Sequence, residues 1–77
     1  MTDIKSAAEY IIKAVVLDSD SVVVESREEN QLTIIEVSAP PEIVGQIIGK
    51  EGKIIKSIRT LLNLAFPELH YVLQIKE

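Results

Sequence analysis

Between positions 47 and 55 the chain runs Ile-Ile-Gly-Lys-Glu-Gly-Lys-Ile-Ile. Gly49 and Gly52 bracket Lys50 and Glu51, and an aliphatic pair closes each side. The whole chain has three glycines, so two of them within four residues mark a local demand on the backbone. Glycine weakens a helix interior and admits left-handed backbone angles. The residues before 49 and after 52 must therefore belong to two separate elements joined by a very short turn.

Apolar periodicity supplies those elements. Ile43, Val44, Ile47 and Ile48 give an apolar helical face, and proline is pre-organised for a first helical position, so Pro41 or Glu42 opens that helix. Residues 53–64 form a second helix, with Ile54, Ile55, Ile58, Leu61 and Leu62 on one side. Its other side carries Lys53, Lys56, Ser57, Arg59, Thr60 and Asn63, and Pro67 stops it. Upstream, residues 3–17 read as a helix capped by Thr2 or Asp3. Residues 18–21 are a turn, and residues 22–27 and 32–38 are β-branched strands of an antiparallel hairpin. The hairpin reverses at 27–30, where Asn30 can take a left-handed conformation. Tyr71, Leu73 and Ile75 alternate with polar neighbours, so a strand ends the sequence. The order is helix, strand, strand, helix, helix, strand. With 77 residues and no linker, repeat or low-complexity segment, one α+β domain over 1–77 is expected.

Composition excludes several functions. There is no cysteine, hence no disulfide framework or thiolate metal site, and the lone His70 leaves no nucleophile–base or metal set. Neither an enzyme nor a bound cofactor or metal is expected. The acids at 18, 20, 28 and 29 read as turns. No apolar run approaches the roughly 20 residues that span a bilayer, and no signal peptide is evident. A soluble cytoplasmic protein without a membrane partner is the expectation.

Charge singles out the glycine turn. The formal net charge is −4, which by itself opposes a nucleic-acid partner. Yet residues 42–64 hold Lys50, Lys53, Lys56 and Arg59 against Glu42 and Glu51, a local balance of +2, whereas the rest of the chain carries −6. The turn also precedes a helix start, whose free N–H groups and dipole favour anions. Walker-type and dinucleotide-binding glycine spacings both fail here, because the intervals are wrong and a helix, not a strand, comes first. A short loop between two helices beside a sheet suits a nucleic-acid strand better than a triphosphate.

The stretch from Ile47 to Arg59 resembles the signature of the KH domain family, in which an Ile-Gly-x-x-Gly loop joins two helices. The element order resembles the type II (bacterial) arrangement, and the length is similar to the small free-standing KhpA-type RNA-binding proteins. That resemblance implies a three-stranded sheet with helices packed on one face, and single-stranded RNA as partner, with single-stranded DNA a further candidate. By position it implies that Gly49, Lys50, Glu51 and Gly52 meet the phosphate backbone, that loop being described as a clamp on about four nucleotides. Lys53 and Lys56 would flank the backbone, with Arg59 farther along. Ile47, Ile48, Ile54 and Ile55 would be divided between joining the helices and flooring a groove for bases, a division the sequence leaves open, and Ile48 and Ile55 are counted among the RNA-binding residues. Residues 33–37 would form the opposite wall. An acidic chain without an aromatic near its loop implies weak binding, about micromolar or roughly −8 kcal/mol, with low sequence specificity.

Blander and rival readings stand beside this one. The two glycines could be a helix cap and a turn, and the lysines a solvated face. Gly45, inside a helix, reads as a close-packing site. The apolar run at 61–66 with Leu69 exceeds what one short helix face buries, so a protein-interaction adaptor is a second reading. The resemblance implies a homodimer or a heterodimer with another KH-containing protein. A helix-turn-helix DNA reader is opposed by three strands and a glycine-broken turn.

Overall fold

A computed structural model describes residues 3–76. Helix α1 (Ile4–Ala14) is followed by strands β1 (Val23–Glu29) and β2 (Leu32–Ser38), helices α2 (Pro41–Ile48) and α3 (Lys53–Ala65), and strand β3 (Tyr71–Lys76). The expected order and α+β class hold.

Local chemistry sets the ends of these elements. Asp3 caps α1 by accepting a hydrogen bond from the Ser6 N–H at 2.8 Å; Thr2, the other expected cap, lies outside the described residues. The helix stops at Ala14, three residues short of the expected end. The β-branched Val15 and Val16 are poor helix formers, and the Leu17 N–H is taken instead by the Gln46 side-chain oxygen at 2.9 Å. Pro41 stands at the first turn of α2, where its missing N–H costs nothing.

β1 runs to Glu29, two residues past the expected boundary. Glu28 pairs with Thr33 and Glu29 with Leu32, and the reversal is only Asn30 and Gln31, with φ of 51° and 68°. Two consecutive left-handed residues make the turn that matches the natural twist of a hairpin. The acidic residues 28 and 29 were expected in the reversal, but on a strand they need only face water.

β2 is the central strand, antiparallel to β1 and parallel to β3. A parallel partner requires a crossover, and α2, the glycine turn and α3 provide it. Val24, Ile35, Val37 and Leu73 share the covered face of the sheet and join Ile4, Ala8, Ile12, Ile43, Val44, Ile47, Ile55, Ile58 and Leu62 in one core. On the other face Glu36 is held between Arg27 and Lys76 in a charge network.

Candidate nucleic-acid interface

The two loop glycines differ in what they are for. Gly49 ends α2 with φ 77° and ψ 176°, a region essentially closed to other residues. A Cβ there would lie 2.6 Å from Ile54 Cγ1, so the close approach of Ile54 requires glycine. Gly52 caps α3 with φ 73° and ψ 17°. A Cβ on it would meet only Ile55 Cγ2 at 4.0 Å, so its outer side is open to a ligand. Between them Glu51 also has positive φ, 58°, and Lys50 and Glu51 both face solvent. The turn is a single 3-10 turn closed by the Gly52 N–H donating to the Gly49 carbonyl at 3.2 Å.

Gly45 is not a close-packing site. It is exposed, and a Cβ on it would touch nothing within 4 Å. It lies one turn before Ile48, which is 37% exposed, so α2 leads into the loop with a bare, mildly apolar strip.

Among the described residues, Lys13, Arg27 and Lys76 are paired with carboxylates, whereas no ion pair engages Lys50, Lys53, Lys56 or Arg59. All four are exposed. Ser57 and Thr60 donate their hydroxyls back to the carbonyls of Lys53 and Lys56, each at 3.0 Å, and so leave the lysine side chains unengaged. Gly52, Lys56, Arg59 and Asn63 recur at helical spacing along one side of α3, a stripe that begins at the loop and runs for about 15 Å. The four isoleucines divide clearly. Ile47 and Ile55 are core, Ile54 is half-buried against Gly49, and Ile48 alone opens to solvent. Ile55, expected among the RNA-binding residues, is buried and supports the loop from below.

The opposite wall is not where residues 33–37 would put it. β2 is bonded on both sides, and Thr33, Ile34, Ile35 and Val37 are buried. β1 and β3 are the two edge strands, and β3 is the one that lies beside α3. A pocket between α3 and β3 is lined by Arg59, Asn63, Tyr71, Val72 and Leu73. The Tyr71 hydroxyl donates to Asn63 Oδ1 at 2.8 Å and lies 3.4 Å from the Arg59 carbonyl. Burial pushes the Tyr71 phenol above its ordinary pKa, against the opposing pull of Arg59, so it remains a donor. Asn63 and Tyr71 were absent from the expected site. The available signal was the spacing of Asn63 after Lys56 and Arg59, but the edge position of β3 comes only from tertiary pairing.

The KhpA/KhpB KH-domain family model matches residues 5–73. The chain belongs to this KH family. RNA-binding protein KhpA of Caldanaerobacter subterraneus subsp. tengcongensis is 44% identical over 55 residues, which cover 71% of this chain and 73% of that protein. RNA-binding protein KhpA of Aquifex aeolicus is 34% identical over 63 residues, covering 82% and 80%. The family is one of RNA-binding proteins, not of enzymes. Among solved structures, Era in complex with MgGDPNP and nucleotides 1506–1542 of 16S ribosomal RNA superposes with a TM-score of 0.61 at 18% identity. That match takes in 94% of this KH chain and 28% of the Era chain, and speaks to fold alone. No helix among the described residues is long and apolar enough to cross a membrane.

Proposed function

We propose that this KH chain binds single-stranded RNA without catalysis. The strand's phosphates lie at the Gly49–Gly52 loop and its bases lie along the channel between α3 and β3. The observation that carries this is the row of four unpaired cations rising from an open glycine loop on an otherwise acidic chain. The helix start adds N–H donors and a positive dipole end at the same place. Lys50, Lys53 and Lys56 meet phosphates, Arg59 extends the contact, and Ile48 with Gly45 offers an apolar strip to bases. Single-stranded DNA fits the same backbone contacts, and an RNA ligand accords with a cytoplasmic location.

Gly52→Asp is the discriminating variant. Its side chain has room, aspartate tolerates left-handed backbone, and its carboxylate stands where a phosphate would. Binding of a fluorescent single-stranded RNA should fall at least about tenfold, or roughly 1.4 kcal/mol, with an unchanged circular dichroism spectrum. Undiminished affinity in the folded variant would sink the proposal.

Pairing with a second KH chain is a compatible second reading, supported by a separate observation. Leu61 and Leu64, on the outer side of α3, are 51% and 74% exposed, and Leu69 follows in the next loop. A family that spans KhpA and KhpB accords with a homodimer or a mixed dimer. Sedimentation at tens of micromolar tests the homodimer; a Leu64→Glu variant that sediments like the wild type would count against this surface.

A further inference from the structure

The α3–β3 pocket, at the far end of the α3 stripe from the loop, is built differently from the loop. The loop offers backbone N–H groups and charge, which suit any phosphate. At the far end Asn63 and Arg59 line a pocket whose inner wall is Tyr71 and Leu73. An unrestrained asparagine would serve either donors or acceptors, because its amide can rotate to present oxygen or nitrogen. Here the rotation is restricted. Asn63 Oδ1 is occupied by the Tyr71 hydroxyl at 2.8 Å. Its Nδ2 makes no hydrogen bond within the described chain, and the Arg59 guanidinium is likewise unengaged there. Both free groups are donors only, so the side chains at this end ask for an acceptor.

We propose that Asn63, oriented by Tyr71, selects the base at the end of the channel farthest from the loop, favouring a base that presents a carbonyl oxygen over one that presents an amino group. The ligand class is RNA with uracil or guanine at that position, disfavouring cytosine or adenine. The inference rests on the RNA-binding reading above and narrows the expectation of low sequence specificity to one selective position. Tyr71 is a positioning residue. Its hydroxyl fixes which side of the amide faces the channel, and its ring forms part of the wall.

Octamers of uridine and of cytidine are suitable probes, because O4 of uracil is replaced by an amino group in cytosine. The wild-type chain should bind the uridine octamer about fivefold more tightly, the scale of one net hydrogen bond. Asn63→Asp replaces the donor by an acceptor and should abolish or invert that ratio, whatever its added charge does to both affinities. Tyr71→Phe keeps the ring, frees the amide to turn, and should bring the ratio to within about twofold while the uridine affinity falls no more than the net worth of one hydrogen bond. Equal wild-type binding of the two octamers overturns this inference and leaves the RNA-binding proposal intact. A ratio unchanged in both variants, each folded by circular dichroism, also overturns it. Binding of neither octamer overturns both. Gly52→Asp should weaken both octamers alike and preserve the ratio, which separates the clamp from the selecting residue.

Discussion

At the scale of single residues, the three glycines have three different reasons to be glycine. Gly49 is required by backbone angle and by Ile54, Gly52 by angle alone, and Gly45 by neither within this chain. Alanine substitutions should therefore separate in urea denaturation. Gly49→Ala should lose about 2–4 kcal/mol, combining backbone strain with overpacking. Gly52→Ala should lose about 1–2 kcal/mol from the left-handed angle. Gly45→Ala should gain about 0.5–1 kcal/mol, since alanine suits a helix better and nothing crowds it. A loss at Gly45 would mean that an unseen contact occupies that face. If RNA approaches the strip beside Ile48, the more stable Gly45→Ala variant should also bind RNA more weakly.

At the scale of elements, α1 depends on its first turn. The Asp3 carboxylate accepts from the Ser6 N–H, which holds its pKa below the ordinary aspartate value, with help from the Lys5 charge. A depressed carboxylate stabilises the fold above its unfolded pKa, and that contribution is lost as pH falls through the folded value. The acid side of the stability profile, below about pH 4, should thus contain an Asp3 component. Asp3→Asn keeps a capping oxygen without a titration, so it should remain close to wild type at pH 7 and lose less on acidification. Asp3→Ala should melt lower at pH 7. Thermal melts at pH 3 and pH 7 for the three proteins check both statements.

The hairpin and the crossover show how much of each element was legible. β2 matched its expected span because Thr33, Ile34, Ile35 and Val37 carry a continuous β-branched signal. β1 overran because Glu28 and Glu29 look like turn residues until a partner strand pairs them. α1 fell short because an apolar helical spacing continues through Val15, whereas Gln46, 29 positions from Leu17, claims that segment's backbone. In α3 the start and stop were readable from Gly52 and Pro67, and the amphipathic pattern placed the cations outside. The division of the isoleucines was not readable, since adjacent residues of one type give no directional signal.

At the scale of the whole molecule, stability rests on one buried core that the proposed binding surface does not share. Ile12, Ile35, Ile47, Ile58 and Leu62 are fully buried, and a domain of this size holds only about 5–15 kcal/mol in total. Leu62→Ala should cost about 2–5 kcal/mol by urea denaturation, while Leu64→Ala, on the exposed side of the same helix, should stay within about 0.5 kcal/mol. With the proposed clamp at the glycine loop, the acidic remainder of the chain would repel RNA elsewhere. Three neutralised phosphates should give a log–log salt slope of about −2 for single-stranded RNA, and Lys50→Ala should reduce it by about 0.7. A flat dependence would argue against a backbone clamp.

The sequence by itself determined the glycine turn, the two helices it joins, the clustered cations and the class of fold, because each is a local property. Spacing, backbone freedom and net charge act over a few residues and need no knowledge of partners. Tertiary structure alone decided that β2 is the buried middle strand and β3 an edge beside α3, and that Tyr71 meets Asn63 across the pocket between them. Those facts depend on which strands pair and in which direction. Strand pairing is a long-range choice made by the core as a whole, and no segment read alone contains it.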